Sequence, residues 1–358
     1  MRAFPIPALL FSLAPAVLPG QTVRIRAVEE GGDKPIAGAI VSLVVPKGAP
    51  PVRAMTDELG RATLTTRTPG LYRLRGDRIG FSGAVSDTFR LAAGTVRDIR
   101  FELPASRQML REITVTARPV CGIELHNTQI SLTALWEEAR KALLATEVTR
   151  ESGILPLEVR GYERWTDRNK RPQKTVSEWE KVVRTERPFA AVPMPMLEAY
   201  GFARKEGNDW FYYAPDAPVL LSDYFLDTHC FRAVVGEGAP TGMVGLAFEP
   251  RLGTSRPDVM GTLWLDSGDA SLRYMEYRYT GLDLSEPYPN AGGRIDFERL
   301  PTGPWYIREW VIRAPRLGNA ARLQSSEVGG GIRLIGYFET GGKATPAGGK
   351  GTPAGASR

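Results

Sequence analysis

The chain has 358 residues and is 42% hydrophobic, enough for two cores at the usual ~150 residues per domain. Its 46 lysines and arginines against 40 acids give a net charge of +6, but the basic residues are scattered among the acids without runs or interleaved aromatics. That pattern argues against nucleic acid and leaves two readings, a solvated basic surface or one drawn to an anionic envelope.

Residues 1–20, MRAFPIPALLFSLAPAVLPG, carry one early charge, Arg2, and then an apolar run from about Pro5 to Leu18. This reads as a secretory signal peptide, with cleavage after Ala16 or Gly20. Pro5, Pro7 and Pro15, and a run short of the ~20 residues a bilayer requires, argue against a spanning helix. No cysteine follows the run to carry a lipid, and nothing later in the mature chain reads as a transmembrane segment. The expected location is periplasmic or extracellular, with outer-membrane association compatible with the basic surface.

From residue 21 to 104 the pattern is a string of short alternating strands. Val23, Ile25 and Ala27 alternate with Arg24 and Arg26, and Ile99, Phe101 and Leu103 with Arg100 and Glu102. Between them, Gly60 and Gly70 read as turns. About seven strands at this spacing predict a small antiparallel sandwich. Three motifs are specific: Pro35, Gly38, Ala39 and Val41; Thr56, Asp57, Gly60 and Leu64; and Pro69, Gly70, Tyr72, Leu74, Gly80 and Phe81. Their order resembles the carboxypeptidase regulatory-like domain, a transthyretin-like sandwich of exported bacterial proteins. The resemblance implies an accessory folding or binding module and transfers no catalytic residue.

Residues 105–130 read as a strand-bearing linker. REITVTARP within it is similar to the segment preceding the plug of TonB-dependent outer-membrane receptors, but too little chain remains for a plug and a large barrel. Cys121 lies in this linker, and Cys230 stands beside His229 in DTHCF; these are the two cysteines of the chain. In an oxidising compartment the simplest reading is a Cys121–Cys230 disulfide, with free buried thiols as an alternative. A metal site would need Cys121, His126, His229 and Cys230, yet strand neighbours point to opposite faces and cannot converge on one ion. His229 is therefore expected to be a hydrogen-bonded structural residue, and neither a metal nor another cofactor is expected.

SLTALWEEARKALLATEV, residues 131–148, predicts a helix with Leu132, Leu135, Trp136, Ala139, Ala142 and Leu143 on one stripe. Ser131 is placed to cap it and Glu137 to pair with Lys141. From Leu155 to Thr340 long strands return. GTLWLDSGDASLRYMEYRYTGL and GRIDFERLPTGPWYIREWVIRAP read as hairpins, and DWFYYAP, MVGLAFEP and GIRLIGYFET as further strands. The fold class is thus mainly β: a seven-stranded transthyretin-like sandwich, then a larger curved antiparallel sheet over 131–341 with one helix packed on its concave side. The tail from 342 to 358, rich in Gly, Ala, Pro and Thr, is expected to be disordered.

The pattern of Gly261 to Asp266, Leu272, Arg273, Glu276 to Tyr279, Gly303, Trp305, Ile307 and Trp310 is similar to the unclosed-barrel carriers of lipoproteins across the periplasm. That resemblance implies an apolar cavity for an acyl chain, which Trp136, Trp210, Phe211, Trp264, Trp305 and Trp310 would line. As plain core they need no ligand, and core is the favoured reading.

Catalytic patterns fail in turn. Neither histidine begins an H-x-x-E pair and there is no third, so a zinc carboxypeptidase is argued against. GFSGA has Ala84 where a serine-hydrolase elbow requires glycine, and the GGK of the tail lacks P-loop spacing. A hydrolase built on paired carboxylates is the enzyme reading that survives. The leading reading is a non-catalytic exported envelope protein that binds a partner protein or an apolar ligand through its β domains, with a periplasmic lipid or lipoprotein carrier as the alternative.

Overall fold

In the computed structural model the described residues are 20–45, 50–105, 120–121, 130–189, 192–206, 209–253, 256–282, 287–319 and 332–348. The expected signal segment up to residue 19, His126 and the end of the tail lie outside them, as does the Ser131 side chain. The first module holds β1 (Gln21–Glu29), β2 (Ile40–Val44), β3 (Val52–Met55), β4 (Arg61–Thr66), β5 (Gly70–Asp77), β6 (Ala84–Val85), β7 (Phe89–Leu91) and β8 (Val96–Leu103). One sheet has the order β4-β1-β8; the other is β3-β2-β5-β6, with β7 also on β5. Period-two patterning closes the sandwich, with Val23, Leu43, Tyr72, Leu74 and Phe101 buried between the sheets.

Two expectations for this module change. Strand β8 pairs with β1 in parallel, from Thr22 opposite Val96 to Glu29 opposite Leu103. These are the first and last strands of the module, so the whole module connects them and no tight turn imposes an antiparallel pair. Gly60 does turn, with φ +71°, but Gly70 is the first residue of β5.

The second module is one ten-stranded sheet. Its strands are β9 (Val120–Cys121), β10 (Leu157–Thr166), β11 (Pro172–Val183), β14 (His229–Val234), β15 (Met243–Pro250), β16 (Asp258–Asp266), β17 (Leu272–Thr280), β18 (Gly292–Arg299), β19 (Trp305–Asn319) and β20 (Ile332–Pro346). The order is β11-β10-β20-β19-β18-β17-β16-β15-β14-β9, antiparallel throughout, curved and unclosed among the described residues. Both expected hairpins form, with Leu263 opposite Met275 and Ile295 opposite Trp310. DWFYYAP instead contributes β13 (Asp209–Tyr212), which pairs with β12 (Ala203–Glu206) in a separate hairpin.

The expected disordered tail starts too early. Strand β20 continues through residues 342–346 and pairs there with β10, Gly342 opposite Gly161. The glycines that look like a linker have a packing reason. A Cβ on Gly341 would meet Tyr162 Oη at 2.5 Å, and one on Gly342 would meet Trp310 Cη2 at 2.5 Å.

Helix α1 (Ile130–Ser152) covers the concave face, and the short helices α2 (Met194–Tyr200), α3 (Ala217–Leu220) and α4 (Asp223–Thr228) add to the single helix expected. The predicted stripe of α1 is buried, with Leu135, Ala139, Ala142 and Leu143 fully enclosed. The opposite side of α1 meets the sandwich, whose Ile40 and Ile79 join the same apolar cluster. That second contact rewrites the expected Glu137–Lys141 pair. Lys141, 4% exposed, donates to Phe81 O at 2.7 Å and to Glu138 Oε1 at 2.6 Å, while Glu137 accepts from Arg140. A buried ammonium takes whichever acceptors the interface offers.

The two modules are joined by more than apolar contact. Arg140 Nη2 donates to Asp77 Oδ1 at 2.7 Å, and Gly80 N donates to Glu138 Oε2 at 3.1 Å. At a third point, glycine meets glycine: a Cβ on Gly303 would lie 2.5 Å from Gly38 Cα, and both residues have positive φ.

Candidate functional site

The sulfur question resolves structurally. Cys121 and Cys230 are bonded, facing each other across β9 and β14 and separated by 109 residues. The neighbouring His229 is 1% exposed and stacks on Phe225 at 3.8 Å between centroids. Its Nδ1 lies 3.1 Å from Phe225 O, and its Nε2 lies 3.2 Å from Val259 O and from Asp258 Oδ1. This is the structural histidine the sequence suggests.

The tryptophans do not share one cavity. Trp136 and Trp310 are core at 2% and 1% exposure, and Trp264 lies beside Tyr274. Trp210 stacks on Tyr212 in the separate β12–β13 hairpin, where Phe211 is exposed. Helix α1 packs against the sheet here: Trp136, Leu135 and Leu143 lie in the same cluster as Trp310 and Phe231.

A smaller cleft remains at the far end of α1, and Trp305 is the one expected tryptophan that lines it. It encloses about 60 Å³. The walls are apolar, with Leu155 and Val159 from one side, Phe189 from the 184–189 loop, and Ile295, Phe297 and Trp305 from the sheet. Thr149 Oγ1, at the helix side, accepts from Trp305 N at 3.1 Å and fixes α1 against β19.

Charged groups close the mouth. Arg187 of the 184–189 loop donates to Glu147 at 3.2 Å and lies 3.3 Å from Asp216 Oδ2. Arg150 donates to Glu147 at 2.8 Å and to Thr185 O at 2.9 Å, tying the same loop to α1. Asp216 also caps α3, accepting from Val219 N at 3.1 Å. Burial pushes the Asp216 carboxyl above the ordinary range; the Val219 N–H and Arg187 oppose this, and Glu147 adds to it.

Two carboxylates at one cleft invite the hydrolase reading, but both are already engaged. Glu147 accepts from two guanidinium groups, and Asp216 accepts from a helix terminus and forms an ion pair with Arg187. Their arrangement serves to latch a loop. Neither was singled out by sequence patterning, because 69 positions and several elements separate them; the readable signal was Asp216-Ala-Pro, a capping residue with proline in the first helical turn.

No family model and no curated protein matches the chain. Among solved structures it is similar to the Bacillus anthracis TIE protein, at 10% identity and a TM-score of 0.21, over 73% of this chain and 45% of that one. It is also similar to the shaft pilin SpaA from Lactobacillus rhamnosus GG, at 10% identity and a TM-score of 0.20, over 71% and 96%. Fervidolysin from Fervidobacterium pennivorans, a keratinolytic enzyme related to subtilisin, gives 9% identity and a TM-score of 0.18, over 81% and 30%. The chain thus spans under half the length of the TIE protein, and likenesses at these scores carry no argument about fold or activity.

Proposed function

We propose that this is a non-catalytic, exported envelope protein that receives an apolar ligand, or the apolar segment of an envelope partner, in the cleft between α1 and the sheet. The carrying observation is the apolar wall of Leu155, Val159, Phe189, Phe297 and Trp305, closed by a loop that Arg187 and Arg150 tie to α1 and that seats its own Phe189 in the wall. A disulfide in the described chain and a signal-like start support export.

At about 60 Å³ the closed cleft is well below the ~300 Å³ of the smaller ligand pockets, so entry requires the 184–189 loop to lift. The carrier of lipid or lipoprotein is the second reading. It is favoured by the position of the cleft between a helix and the concave face of an unclosed sheet.

Native mass spectrometry of protein produced in a bacterial periplasm tests the proposal. Wild type is expected to retain, or to take up from added dodecanoate, one apolar molecule per chain. Ala344→Phe, which fills the cleft from β20, is expected to lose it. Equal uptake by both proteins, or none by wild type, refutes the reading.

A further inference from the structure

Two buried polar atoms at the mouth of the apolar cleft, Arg187 Nε and Asp216 Oδ2, have no hydrogen-bond partner. Both residues line the cleft. The two atoms lie 3.3 Å apart as an ion pair, but without the geometry of a hydrogen bond. The rest of each side chain is engaged: Asp216 Oδ1 accepts from Val219 N at 3.1 Å, and Arg187 Nη2 donates to Glu147 at 3.2 Å. Buried polar atoms are ordinarily paired, so a donor and an acceptor left over at the mouth of one apolar cleft mark a place for the polar end of a ligand.

Charge selects that polar end. Arg150 and Arg187 stand against Glu147 and Asp216, two cations to two anions. Of the other titratable groups on the cleft, Glu186 pairs with Lys181 of β11, Arg184 belongs to the same loop, and burial raises the Tyr306 phenol of β19 to about 12, where it stays neutral. A balanced set of this kind admits a further anion only where one carboxylate takes a proton. Asp216 is the one disposed to do so, because burial pushes its carboxyl up and Glu147 adds to this, against the pull of the Val219 N–H and Arg187. Glu147 is held by two guanidinium groups.

We propose that the cleft receives a long-chain fatty acid, its carboxylate seated between Arg187 Nε and Asp216. One carboxylate oxygen accepts from the Arg187 Nε–H. The other accepts from the Asp216 carboxyl, which takes one proton from solvent as the anion enters, so that one negative and one positive charge arrive together. Only one carboxyl is disposed to take a proton, so a monoanion fits the mouth and a dianion does not. The inference rests on the apolar cleft opening as read above, and it names the class of molecule that enters. Affinity should fall as pH rises through the Asp216 value of the free protein, because protonating Asp216 then becomes part of the cost of binding.

Isothermal titration calorimetry of the full chain with dodecanoate and with dodecanol tests this, at about pH 6 and about pH 8 and in two buffers of different ionisation enthalpy. Wild type should bind dodecanoate about tenfold more tightly than dodecanol, take up protons as it does so, and bind dodecanoate more weakly at the higher pH. Arg187→Gln should bring the ratio of the two affinities to about one. Asp216→Asn still caps α3 and carries a permanent donor, so it should bind dodecanoate without proton uptake and with an affinity that does not change with pH. If Arg187→Gln fails to fold, wild type and Asp216→Asn decide. Equal affinity of wild type for the two probes, a preference unchanged in Arg187→Gln, or proton uptake unchanged in Asp216→Asn overturns this inference and leaves the apolar cleft standing. Binding of neither probe by wild type overturns both.

Discussion

Reduction of the single disulfide is the perturbation whose size follows most directly from the structure. The bond joins positions 109 residues apart, and the enclosed loop contains α1, β10, β11 and all three short helices. Chain-entropy arithmetic gives such a loop about 4.8 kcal/mol at 25 °C, an upper figure against the ~2–4 kcal/mol usually observed. Strand β9 pairs with β14 through two residue pairs. The double variant Cys121→Ser, Cys230→Ser should therefore unfold about 4–10 °C below wild type, and reductant should lower wild type alone to the same point. Thermal unfolding by circular dichroism, with alkylation to count thiols, measures this. Transitions within about 1 °C of each other, with the bond confirmed in wild type, would refute the staple.

Asp77 is 1% exposed between Arg75 and Arg140, so Asp77→Ala removes the buried one of the two carboxylates on Arg140, leaving Glu137, and should destabilise by about 1.5–3 kcal/mol in urea titrations. Burial alone would raise this carboxyl, but Arg140 and Arg75 outweigh it and hold it below the ordinary value; its stabilisation is complete above pH ~4 and drains as pH falls through the lowered value. Asp216 has the opposite sign. Its raised carboxyl contributes stability below pH ~4 that is lost as pH rises through the folded value, so the urea midpoint of wild type should decline relative to Asp216→Asn between pH 3.5 and 7. Gly303→Ala would place a methyl 2.5 Å from Gly38 Cα at φ +119°, and should cost about 1–3 kcal/mol and speed limited proteolysis between the modules; unchanged cleavage would contradict the docking.

Hairpins and the long helix were legible because each has a local period: Leu263 and Leu265 against Met275 and Tyr277, or Leu132 to Leu143 along α1. The disulfide was legible because two cysteines leave only one pairing within the chain. What failed was non-local. Gly341 and Gly342 look like a spacer until Tyr162 and Trp310 cross them, and the β1–β8 pair is fixed by the closure of the whole sandwich. The cleft escaped because Glu147, Arg187 and Asp216 meet only after a helix, a loop and a turn have packed. For the tryptophans, periodicity marks a residue as inward-facing but does not say whether a helix will fill the space it faces.

The central claim is that the cleft beneath α1 opens to take an apolar chain. Methyl-resolved NMR during titration with dodecanoate tests it most directly. The account predicts saturable shifts at Leu155, Val159, Val183 and Ile295, with Val23 and Leu74 of the sandwich unmoved. Shifts confined to surface methyls, or none at the cleft, would contradict it.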